Sequence, residues 1–155
     1  MRRALVCLLG LGLIACGEPE LPETQIRTHL EEARQAAVDR DIGVLRAMLS
    51  EQYADEQGRT RSQLEDLLRF WLFRGRSLHV WTWVSEVEAP VGTSGRATVF
   101  AALASQPIES PRDLSRIRAD LYRIELILAA EDDAWRVVSA DWRPASLADL
   151  DPGLL

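Results

Sequence analysis

The sequence predicts an α+β domain in which three N-terminal amphipathic helices pack on an antiparallel sheet of about four long strands. Three observations carry this. In residues 121–143, Tyr122, Ile124, Leu126 and Leu128 fall on one face and Arg123 and Glu125 on the other, the period of a half-buried strand, and an acidic turn leads into a second strand. Leu64, Leu67, Leu68, Trp71 and Leu72 fall at i, i+3, i+4, i+7 and i+8, one face of a helix. At Ser77 the period changes to two. With 155 residues, 47% of them hydrophobic, the chain has enough for one core and too little for two ordinary domains.

In chain order, the first helix is predicted from Ile26, Leu30, Ala33 and Ala37, with Glu31, Glu32, Arg34 and Gln35 opposite. Asp41 caps a short second helix whose apolar stripe is Val44, Leu45, Met48 and Leu49. Residues 50–58 fit either a brief strand pair or a loop. Thr60 followed by Gln63 is a capping box for the third helix, and Gly75 supplies a left-handed stop. In the first strand, Leu78, Val80, Thr82 and Val84 alternate with His79, Trp81 and Trp83, so both faces need a neighbour. Residues 90–94 are a turn, and 95–104 a second strand with small side chains. Residues 105–117, with two prolines, form a long connection with one helical turn from Pro111. The two strands of 121–143 follow, and 144–155 reads as a loosely packed acidic tail.

The start of the chain speaks to location. Arg2 and Arg3 precede a twelve-residue apolar or glycine run at 4–15, the length of an export signal and too short to span a bilayer. The run ends in Leu13-Ile14-Ala15-Cys16, which resembles the lipobox of bacterial lipoproteins. The resemblance implies a signal peptide at 1–15, cleavage before Cys16, diacylglycerol on its sulfur, and attachment to a membrane through fatty acyl chains such as palmitate. Residues 16–23 then form a lipidated, proline-bearing tether, and the folded domain spans 24–143. Gly17, in place of the aspartate that marks inner-membrane retention, favours the outer membrane facing the periplasm. Cys7 leaves with the leader and Cys16 is consumed, so no disulfide is expected. All 18 basic residues are Arg, against 24 acids, and the net charge of -6 argues against a nucleic-acid partner.

The order of these elements resembles the nuclear transport factor 2-like superfamily, which includes SnoaL-like cyclases and ketosteroid isomerases. The residues that carry it are Ala36-Ala37-Val38-Asp39-Arg40-Asp41, the Tyr53-Ala54-Asp55 and Gly58-Arg59-Thr60 run before the third helix, and Trp135-Arg136-Val137 with Trp142. The resemblance implies a sheet wrapped round the helices as a cone, often with a pocket at its open end. It licenses no reaction, because folds host many functions.

In that family an Asp or His base works deep in the cone, sometimes beside a Tyr donor. By this resemblance, the candidates for an isomerase, cyclase or dehydratase are Asp141 and Asp55 with Tyr122, and His79 stands beside them. Each has a plainer reading: a solvated turn acid for Asp55, an Arg-paired acid for Asp141, an outer-face residue for His79. The favoured reading is a non-enzymatic module that binds a small apolar molecule or another envelope protein, with Tyr53, Trp71 and Tyr122 about the ligand and Trp142 or Trp135 joining if strand phase allows; the plainer reading of these Trp side chains is core packing. Trp81 and Trp83 are expected on the convex face, as a surface for a homodimer or an envelope protein. A third reading is a structural homodimer whose cone is filled by its own side chains. His29, beside Glu31 and Glu32, is expected at the surface, no metal site is expected, and no cofactor motif is present.

Overall fold

A computed structural model of the chain describes residues 20–74, 77–90 and 93–154. Cys16, the leader and residues 17–19 of the tether lie outside the described residues, as do Gly75 and part of the turn before the second strand. The elements run α1 (Pro22–Asp39), α2 (Ile42–Ala47), α3 (Arg61–Phe73), β1 (His79–Glu88), β2 (Ser94–Ala104), β3 (Ala119–Glu131) and β4 (Ala134–Pro144). A short 3-10 turn at Pro111–Ser115 interrupts the long connection.

Local chemistry sets the helix ends. Pro22 occupies the first turn of α1, where a missing N–H costs nothing, so the last two residues of the predicted tether belong to the helix. Arg40 ends α1 in the left-handed conformation, φ 57°, its N–H reaching the Ala36 and Ala37 carbonyls. Asp41 caps α2 by accepting from the Val44 N–H at 3.0 Å, and the Thr60 N–H donates to Gln63 Oε1 at 2.9 Å before α3. Of the predicted α2 stripe, Leu45, Met48 and Leu49 are buried and Val44 is exposed.

The sheet is an antiparallel meander in the order β1-β2-β3-β4. Asp132 and Asp133, at φ 48° and 61°, make the tight turn between β3 and β4, a conformation that short polar side chains tolerate. Two extra residues bend it. Val84 pairs with Val99 and Glu86 with Thr98, leaving Ser85 over; Ile127 pairs with Ser139 and Leu128 with Val137, leaving Val138 over. Such bulges curve a sheet and reverse the facing of everything beyond them. The stretch left open between strand and loop lies along β4: the Ser50 N–H donates to the Val137 carbonyl at 3.0 Å, and the Val137 N–H to the Met48 carbonyl at 2.9 Å. It shields what would otherwise be a bare sheet edge.

The concave face holds the main core, in which Ile26, Leu30 and Leu64 from the helices meet Val87, Val99, Leu128 and Trp135 from the sheet. Ile26 and Leu128 are fully buried. The convex face carries a second core of Phe100, Ala102 and Leu121, covered by Leu114 from the long connection and Leu150 from the tail. The tail is therefore docked, not loose, with Leu150 only 3% exposed. The physical reason is a local split: Asp149 turns outward to accept from the Ser146 N–H at 2.8 Å, while Leu147 and Leu150, three apart, reach back to the sheet.

Candidate functional site

The cone is filled at one end and hollow at the other. At the narrow end Ile26, Gly95, Leu128 and Trp135 close-pack, and the Trp135 indole N–H donates to Gln25 at 3.0 Å. Toward the other end, where α3 finishes and β1 and β3 begin, lies a cavity of about 300 Å³. Its walls are Ala33 and Ala37 of α1, the Leu64, Leu67, Leu68, Trp71 and Leu72 face of α3, and the inward residues of all four strands. The inward set is Val80, Thr82 and Val84, then Val99, Ala101 and Leu103, then Tyr122, Ile124 and Leu126, then Val137, Ala140 and Trp142. The small residues of β2 and α1 make the room. The cone is thus not filled by its own side chains, contrary to the third expectation.

Three of the four predicted ligand contacts line this cavity. Trp71 and Tyr122 meet edge to face across its mouth, ring centres 5.7 Å apart, and Trp142 forms part of the wall. Arg59 lies over the Trp142 ring at 3.9 Å and fixes it from behind. Tyr53 is elsewhere: it is 3% exposed within the main core and does not line the cavity. Its hydroxyl faces Asp55 at 3.4 Å, and burial, followed by the Asp55 charge, pushes its pKa up to about 12. The Trp135–Trp142 question is answered by the β4 bulge. Seven residues apart, they would point to opposite faces of a regular strand; the extra Val138 turns both inward, Trp135 into the packed end and Trp142 into the cavity wall.

The structure corrects the placement of both candidate bases. Asp141 pairs with Glu125 on the convex face, one residue before the inward Trp142, and accepts from the Gln57 amide at 3.4 Å instead of pairing with an Arg. Asp55 has a fully buried carboxylate and is committed to the loop before α3: it accepts from the Gln57 N–H at 3.0 Å, the Arg59 N–H at 2.9 Å and Arg59 Nε at 2.6 Å. Burial alone raises its pKa, but the Arg59 hydrogen bonds outweigh that and hold it below the usual carboxylate value. That is a structural clasp, opposite in character to a poised base. His79 shares the outward phase of Trp81 and Trp83. No carboxylate lines the cavity among the described residues, and no group of three or more His, Cys, Asp or Glu gathers there as metal ligands do.

One cavity residue was missed. His29, expected at the surface, is half-buried and lines the cavity, its Nε2 buried without a hydrogen-bond partner. Burial lowers its pKa below the ordinary 6.5, against the pull of Glu32, so the ring is held neutral. The signal was present: 29, 33 and 37 recur at four-residue spacing, and Ala33 and Ala37 were already assigned to the packed face.

The convex Trp pair proves unequal. Trp81 packs among Phe100, Leu121 and the covering segments, whereas Trp83 is 37% exposed. Ile127, on the same face, is 44% exposed.

Solved structures share this architecture. An NTF2-like protein of unknown function from Pseudomonas putida KT2440 superposes with a TM-score of 0.63 at 18% identity, over 84% of this chain and 96% of that one. The chain has the nuclear transport factor 2-like fold. A second NTF2-like protein of unknown function, from Silicibacter pomeroyi, matches at TM-score 0.58 and 13% identity over 79% and 94% of the two chains. A ketosteroid isomerase-like protein from Erwinia carotovora atroseptica matches at TM-score 0.59 and 9% identity over 80% and 96%. No family model and no curated protein matches the sequence. The fold is therefore settled as nuclear transport factor 2-like, while these identities carry no activity across.

Proposed function

We propose that this nuclear transport factor 2-like domain is a binding module that holds a small apolar molecule in the open end of the cone. One observation carries the reading: a hollow of about 300 Å³ walled mainly by Leu, Val and Ala with Trp71, Tyr122 and Trp142, with His29 and Arg34 also in its lining and no acid among the described residues. That is the size and chemistry of a small-ligand site, and burying an apolar body there is favourable by about 25 cal/mol per Å². The isomerase, cyclase or dehydratase alternative loses its named bases, since Asp141 lies on the other face and Asp55 is ion-paired outside the cavity.

The Leu13-Ile14-Ala15-Cys16 run supports a place for the module on a lipid tether at a bacterial envelope membrane, the outer membrane facing the periplasm. Two or three acyl chains anchor by about 0.8 kcal/mol per buried methylene. Mass spectrometry of the chain purified from its own envelope tests both halves. A stoichiometric small apolar molecule released on denaturation and a diacylglyceryl mass on Cys16 are expected. An empty cavity with an unmodified Cys16 counts against both. A homodimer across the convex face is a second reading, supported by exposed Trp83 and Ile127 and narrowed by the segments that cover the rest. A monomer mass by light scattering removes it.

A further inference from the structure

The apolar cavity shares a wall residue, Leu103, with a second recess. That recess, of about 600 Å³, has a mixed lining in which Arg74, Arg118, Asp120, Ser77 and Ser105 stand among apolar side chains. Trp71 joins the two spaces, because its indole lines the cavity and also carries the Arg74 guanidinium on its face at 4.3 Å. Arg74 reaches Asp120 at 3.1 Å, but both side chains are well exposed, 39% and 59%, so the pair is one that an incoming anion exchanges at little cost. Arg118 is exposed and makes no hydrogen bond or ion pair with the described residues. Among the described residues, two guanidiniums against one carboxylate leave the recess positive, on a chain whose net charge is -6.

We propose that the ligand is an apolar acid: a compact hydrocarbon or aromatic body that enters the cone, with a single anionic group held in the recess by Arg74 and Arg118. The proposal rests on the binding reading above and sharpens it. Planar guanidinium donors suit carboxylate, sulfonate and phosphate oxygens alike, and charge-assisted hydrogen bonds are about twice as strong as neutral ones. The Trp71–Tyr122 edge contact sets the boundary at which the apolar part of the ligand ends and the charged part begins.

Two dyes of nearly equal shape test this, N-phenyl-1-naphthylamine, which is neutral, and 1-anilinonaphthalene-8-sulfonate, which adds one sulfonate. Each is titrated by fluorescence into the full chain carrying Cys16→Ser, so that no acyl chain competes. The sulfonate is expected to bind about ten-fold or more tightly, the value of one or two charge-assisted hydrogen bonds. The Arg74→Gln/Arg118→Gln double variant should bring the two dyes to within about two-fold of each other, chiefly by weakening the sulfonate. Added salt should weaken only the sulfonate. Equal binding of both dyes to the parent chain, or a sulfonate preference that survives in the double variant, overturns the acidic-ligand proposal and leaves the apolar site standing. Failure of both dyes to bind overturns the binding reading and this proposal with it.

Discussion

The narrow and the wide ends of the cone are built from the same four strands and the same two long helices, yet one is solid and the other hollow. At the narrow end, a Cβ on Gly95 would press into Ile26 Cδ1 and sit 3.5 Å from the Trp135 ring and 3.3 Å from the Glu88 carbonyl. At the wide end, Ala33, Ala37 and Ala101 line the cavity. Small residues thus do opposite jobs. Gly95 permits close approach, and the alanines withhold side chain where packing would otherwise finish. The division teaches that stability should be concentrated where Ile26, Leu128 and Trp135 meet, leaving the wide end free to accept a guest.

The sharpest break of that contrast is Leu128→Ala. A fully buried leucine leaves a cavity that its neighbours fill only in part, so a loss of about 3 kcal/mol in urea unfolding is expected. A loss below about 1 kcal/mol would mean that the narrow end is not close-packed. Next is Gly95→Ala, where overpacking against Ile26 and the Glu88 backbone should cost about 1–3 kcal/mol by the same assay. The same kind of enlargement at the wide end, Ala101→Phe, should shift stability by less than about 1 kcal/mol in either direction, because the ring enters unoccupied volume. Equal costs for these two enlargements would erase the distinction between the ends.

The smallest effect is a pH dependence from His29. Its folded pKa lies below 6.5 because burial disfavours the charged ring, so the unfolded chain binds the proton first. The stability is present above pH 6.5 and declines as pH falls toward the folded value. In His29→Gln the denaturation midpoint should decline less over that window than in the parent chain. An identical decline in both would show that His29 is not held neutral.

Most of the fold was legible because it is written in periodicity. The α3 face at 64–72, the alternation at 78–84 and 121–128, and the caps at Asp41 and Thr60 all appear where local pattern placed them. What escaped is what depends on partners distant in sequence. A bulge such as Val138 depends on the register of β3 against β4, and it alone decides that Trp135 and Trp142 face the same way while Asp141 faces out. The docking of Leu150 was hidden by the acids around it, since a composition that looks solvated says nothing of which side chains turn inward. Asp55 was legible as a turn acid, but its burial against Arg59 required the loop to fold back on β4. Arg74 and Arg118, forty-four positions apart, come to one recess only through the sheet.

The central claim, that the wide end is a site and not a packing defect, is tested most directly by titrating N-phenyl-1-naphthylamine into the Cys16→Ser chain with and without Ala101→Phe. A single saturable site in the parent, lost in the Ala101→Phe chain while its unfolding midpoint stays within about 1 kcal/mol of the parent's, is the predicted result. Binding that is unchanged by the new ring, or absent from the parent, would contradict it.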